Sequence, residues 1–152
     1  MTFISHRGNL SGPCPAEENS ISYIEAALRR GFNVELDLRT LHGKLFLGHD
    51  TPDYEVTFNW LYEHSSWLFI HCKNYEAIKF ISETRIFNWF CHQNDTFGLV
   101  SNGMVWYSDL ASKPNKNCIL PLLTQQQIKE YPKEWLRAAG GICSDYIQDI
   151  SS

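Results

Sequence analysis

Asn33-Val34-Glu35-Leu36-Asp37-Leu38 alternates polar and apolar residues without a break, and a period of two is the signature of a β-strand rather than a helix. In such a strand Glu35, Asp37 and Arg39 share one face, while Val34, Leu36 and Leu38 share the other. Upstream, Phe3-Ile4-Ser5 reads as a preceding strand. The stretch from Ile21 to Arg30 reads as a helix, with Asn19-Ser20 supplying the N-cap and Gly31 the C-terminal stop. Downstream, Lys44-Leu45-Phe46-Leu47 reads as a hairpin return strand that delivers Gly48-His49-Asp50 at its end.

The same alternation continues along the chain. Further strands are expected at Trp67 to Cys72, Ile86 to Cys91, Met104 to Tyr107, Cys118 to Leu122 and Gly141 to Ser144. Helices are expected near Tyr75 to Glu83 and from Thr124 to Ala139, the second broken by Pro132, which removes a backbone donor and clashes with the preceding turn. Strand-then-helix order predicts an α/β fold: one trimmed, TIM-like (β/α) barrel over residues 1–152, with about seven to eight mostly parallel strands.

Composition narrows the function classes. With 152 residues and 43% hydrophobic content the chain can bury one core, and it is short for two domains. The formal charge of -4, with no basic cluster longer than Arg29-Arg30, argues against holding a nucleic acid on a basic face. Five scattered cysteines with no CxxC pair suggest small buried thiols in a reducing compartment rather than a zinc knuckle or disulfide framework. Neither a signal peptide nor an apolar run of membrane-spanning length is visible, so the expectation is a cytoplasmic protein without an integral membrane segment. Its oligomeric state is open, a homodimer included.

Ionisable residues fall where the expected strands end, which is where an α/β barrel builds its site. His6-Arg7 closes the first strand, Glu35 and Asp37 share a face of the second, His49-Asp50 ends the hairpin, and His71 and Lys73 lie on the third β/α strand. Two carboxylates one residue apart on a strand have Cα atoms about 7 Å apart and can converge on one hard cation. Buried together without a cation they repel, and one protonates. His92, Asp95, Asp109 and Asp145 also follow expected strands, with Asp145 the best candidate among them, while Trp106 and Tyr107 read first as core.

His6-Arg7-Gly8, Glu18-Asn19-Ser20, Glu35-Leu36-Asp37 and Gly48-His49-Asp50 stand in the order and approximate spacing of a known signature. Through them the chain resembles the glycerophosphodiester phosphodiesterase family and its spider-venom phospholipase D relatives. Gly141-Ile142-Cys143-Ser144-Asp145 also looks like that family's last barrel strand with its terminal acid. The resemblance implies a metal-dependent phosphodiesterase acting on a small glycerol-, sugar- or lipid-linked phosphodiester, by hydrolysis or by cyclisation onto a neighbouring hydroxyl. It implies His6 and His49 as acid and base, Arg7 and Lys73 as phosphate holders, and Glu35 and Asp37 as metal ligands. His71 stands where the family has a third acidic ligand. Magnesium is the first expectation for the ion; the imidazole makes the set less suited to calcium and more tolerant of manganese. The sizeable insertion that covers the glycerol end in family members is also missing after His49. Two other readings stand beside this one: a phosphomonoesterase on a sugar or polyol phosphate, and a catalytically silent barrel that binds phosphorylated ligands.

Overall fold

The computed structural model describes residues 1–151. Ten strands join one sheet: β1 (Thr2–His6), β2 (Asn33–Leu41), β3 (Lys44–Leu47), β4 (Tyr54–Val56), β5 (Leu68–Cys72), β6 (Asn88–Phe90), β7 (Phe97–Leu99), β8 (Val105–Tyr107), β9 (Cys118–Pro121) and β10 (Gly141–Ser144). Six short helices accompany them: α1 (Ile21–Arg29), α2 (Phe58–Glu63), α3 (Tyr75–Thr84), α4 (Gln125–Glu130), α5 (Lys133–Leu136) and α6 (Ile147–Ile150). Seven strands run parallel in the order β6-β5-β2-β1-β10-β9-β8. Antiparallel pairs extend this path, β3 against β2, β4 against β3, and β7 against β8.

The expected TIM-like (β/α) barrel therefore does not form. The sheet is mixed and open, a half-barrel in which no strand ladder joins β6 to β7 among the described residues. The reason is chain length. Only residues 91–96 connect β6 to β7, and residues 100–104 connect β7 to β8. A parallel crossover needs about a dozen residues or more, usually a helix, so β7 can only return antiparallel, as a hairpin with β8. At the open seam the Ser101 N–H donates to the Trp89 carbonyl at 2.8 Å. Phe90 from β6 stacks on Trp106 from β8, with ring centroids 4.4 Å apart, and fills the interior there.

Local sequence explains the parts that were anticipated. Ser20 caps α1 by accepting from the Tyr23 N–H, and Gly31 follows the helix at φ +84°, a left-handed position that costs glycine nothing. Asn74 and Thr124 cap α3 and α4 in the same way. The 124–139 stretch divides around Pro132 into α4 and α5. Val34, Leu36 and Leu38 are fully buried against α1 and α3, each burial stabilising by about 1.5–3 kcal/mol. Among the described residues no helix is long and apolar enough to cross a membrane.

Candidate active site

Parallel strands put their C-terminal ends on one rim; β1, β2 and β5 carry His6, Arg7, Glu35, Asp37, His71 and Lys73 there, and the antiparallel β3 delivers His49 to the same rim. His6, Arg7, Glu35, His49, His71 and Lys73 all line one cleft of about 920 Å³. Asp37 lies fully buried beneath them. The in-register pairing of His6 with Glu35, and of Asp37 with His71, brings residues from β1, β2 and β5 to one level.

Glu35, Asp37 and His71 offer ligand atoms that all lie within 4.8 Å of one another. His71 Nδ1 is 3.3 Å from Asp37 Oδ1 and 3.7 Å from Glu35 Oε1. Glu35 Oε2, Asp37 Oδ1 and His71 Nε2 are buried and make no hydrogen bond. Two carboxylates and an imidazole left with unused lone pairs are a donor set that a small divalent cation fits. Aromatic rings hold His71 in place: Phe90 stacks on it at 4.7 Å and His92 at 4.9 Å, both nearly parallel.

The two carboxylates are placed in opposite electrostatic settings. Burial and the neighbouring Asp37 push the Glu35 carboxyl up from its ordinary value. Burial opposes ionisation of Asp37 as well, but His71, the Arg7 guanidinium and the Asn19 amide together hold its carboxyl far below the usual range. Arg7 Nε lies 2.9 Å from Asp37 Oδ2, and Lys73 Nζ 3.9 Å from Asp37 Oδ1. Asn19 donates to Asp37 Oδ2 and accepts from the Asp37 N–H, each at 2.9 Å. Glu18 accepts from Arg7 at 3.2 Å and from Asn9 at 2.9 Å. Glu18 and Asn19 are thus a pair of side-chain clamps on the site, with Asn19 held at φ +65°.

His6 donates through Nδ1 to Asp145 Oδ1 at 2.7 Å, and its Nε2 faces Glu35 Oε2 at 3.8 Å. Burial opposes protonation of His6, but the Asp145 hydrogen bond and the Glu35 charge outweigh it and raise the imidazole above its ordinary value. Asn9 holds the same Asp145 oxygen at 2.8 Å. His49 is more open, with its Nδ1 2.7 Å from Asp50 Oδ1, and Arg39 ties down its loop by donating to the Gly48 and His49 carbonyls.

Two features exceed what the sequence suggested. Asp145 is the hydrogen-bond partner of His6, a role its place at the end of β10 hinted at without identifying the partner. His92 is part of the cleft wall, and burial together with His71 and Lys73 lowers its imidazole from the ordinary value. The cysteine expectation holds for Cys72, Cys118 and Cys143, which are buried, but Cys91 is exposed. Burial, then Cys91, pushes the Cys72 thiol up to about 12.

The arrangement is that of a small α/β protein with an acidic, cation-flanked cleft at the strand C-termini. Comparison with family models, with curated proteins and with solved structures gives no match for this chain.

Proposed function

We propose that this chain is a metal-dependent phosphodiesterase that cleaves a small glycerol-, sugar- or lipid-linked phosphodiester, by hydrolysis or by cyclisation. The observation that carries the reading is the cluster of Glu35, Asp37 and His71, whose buried ligand atoms include three that make no hydrogen bond, set at the cleft that His6, Arg7, His49 and Lys73 line. Glu35, Asp37 and His71 would hold a divalent cation, magnesium or manganese by the nature of the donors, which would supply Lewis-acid polarisation of a phosphoryl oxygen worth several kcal/mol.

The protein's own groups divide the remaining work. Arg7, fixed by Asp37 and Glu18, and Lys73 provide positive charge for the other phosphate oxygens. His6 is the general acid. Its protonated form is favoured by Asp145 and Glu35, and with Nδ1 committed to Asp145 the proton on Nε2 is the one free to go to a leaving alkoxide. His49, half-buried on the cleft wall with its Nδ1 beside Asp50, takes the proton of the incoming hydroxyl. Each transfer contributes about 10²- to 10⁴-fold.

Phosphorus NMR of the metal-stripped protein with glycerophosphodiesters and sugar phosphates, adding magnesium, manganese or calcium in turn, tests this reading. Metal-dependent turnover that His6→Ala and Glu35→Ala both abolish is the expected result. Turnover of monoesters alone would move the assignment to a phosphomonoesterase. Absence of both turnover and metal binding would leave a phosphate-binding protein without chemistry.

A further inference from the structure

We propose that Cys72 and Cys91 form a redox-sensitive dithiol at the rim of the cleft, able to close into a disulfide between β5 and the end of β6. The argument begins with strand register. β5 and β6 are parallel, and His71 pairs with Phe90. Carrying that register forward by one residue sets Cys72 opposite Cys91. Successive side chains alternate between faces. The His71 and Phe90 rings stack together on the inner face, and His92 stacks on His71 as well, so the alternation runs on past the end of β6 and Cys72 and Cys91 turn to the outer face together.

Adjacent strands lie about 4.8 Å apart, within the span of about 4.4–6.8 Å that Cα atoms bridged by a disulfide adopt. Both residues border the cleft, as do Tyr75 and Ile78 of α3. Cys118 and Cys143 are buried on β9 and β10, and Cys14 lies in the loop after β1, so the register gives none of them a cysteine partner.

The chemistry needs a two-electron oxidant, for which a peroxide suffices. The exposed Cys91 sulfur attacks a peroxide oxygen and the O–O bond breaks. This gives a sulfenic acid on Cys91 and, after protonation, one water. The Cys72 sulfur then attacks the Cys91 sulfur, the S–S bond forms and the S–O bond breaks. The Cys72 proton leaves with the hydroxyl as a second water. Two thiols are oxidised to one disulfide and one peroxide is reduced to two waters. A bridge between the two opposed residues pins β5 to the segment after β6 at the positions next to His71, Lys73 and His92, and a bond with one exposed sulfur stays accessible to reducing thiols.

The test treats the full chain with stoichiometric hydrogen peroxide, alkylates the remaining thiols, and maps linked peptides by mass spectrometry, with Cys91→Ser and Cys72→Ser alongside. The expected result is one intramolecular Cys72–Cys91 bridge, lost on mild reduction and absent in both variants. Cys91→Ser replaces an exposed side chain, so its melting curve verifies that its failure to cross-link is not a failure to fold. Two alkylatable thiols at positions 72 and 91 after oxidation would overturn the proposal, as would bridges involving Cys14, Cys118 or Cys143, or bridges between chains. The readout uses neither metal nor substrate, so it stands or falls separately from the phosphodiesterase reading.

Discussion

His6 and Asp145 stand 139 positions apart in the chain and 2.7 Å apart in space, Nδ1 to Oδ1. The contact exists because β1 and β10 are parallel neighbours in register, Ser5 beside Ser144, so His6 at the end of β1 and Asp145 just after β10 emerge at the same point of the rim. It fixes which ring nitrogen of His6 carries the outward proton. Asp145→Asn keeps the shape but loses the charge that favours the imidazolium. Turnover is expected to fall about 10²- to 10⁴-fold, mainly in kcat, with the basic limb of the pH profile, which His6 sets, moving to lower pH and the acidic limb staying in place. An unchanged kcat would remove His6 from the role of acid.

Asn19 holds Asp37 through two reciprocal hydrogen bonds and is almost fully buried. Asn19→Ala leaves the carboxylate free to turn. Manganese affinity measured by calorimetry is expected to drop about 10- to 100-fold, as for other groups that orient a ligand without touching the metal. A variant that binds manganese as tightly as the parent would mean that strand β2 alone orients Asp37.

Glu35 and His6 both have raised values in the folded, metal-free protein. A raised folded value means the native state binds a proton that the unfolded chain has already released. That contribution is full below each group's unfolded value and is lost as pH rises through the folded one. Stability of the metal-free protein is therefore expected to decline as pH rises from the weakly acidic range, through both Glu35 and His6. Asp37, whose value is lowered, adds stability that disappears only as pH falls well into the acid range. Glu35→Gln removes the buried, repelled charge and is expected to stabilise the metal-free protein by about 1–2 kcal/mol, or roughly 2–8 °C in melting temperature, while abolishing metal binding. A lower melting temperature at neutral pH would sink this account.

Gly48 precedes His49 at φ +150°, and a Cβ there would stand 2.0 Å from the Thr51 carbonyl oxygen. No side chain fits without moving the backbone of the turn. Gly48→Ala is expected to cost about 2–4 kcal/mol in chemical denaturation and to displace His49, lowering kcat even where the protein remains folded. Wild-type stability in this variant would show that the turn has another conformation of equal energy.

The sequence by itself determined the local pieces. Strict alternation over 33–38 fixed β2 and the shared face of Glu35 and Asp37, because side-chain direction in a strand follows from the backbone alone. Ser20, Asn74, Thr124, Gly31 and Pro132 set helix starts and stops, since caps and breakers act within a few residues. The candidates His6, Arg7, Glu35, Asp37, His49, His71 and Lys73 were legible because each ends or lines a strand whose position could be read. Short elements were not: β4, β7, α2 and α6 carry too few residues for a period to show. The tertiary structure alone decided the closure of the sheet. Periodicity cannot say that six residues after β6 are too few for a crossover, and so the expected barrel gives way to an open half-barrel with β7 turned back on β8. It alone decided the partners as well, Asp145 for His6, Asn19 for Asp37, and Phe90 and His92 around His71. Those contacts are set by which strands lie side by side, and strand neighbours are a property of the whole sheet.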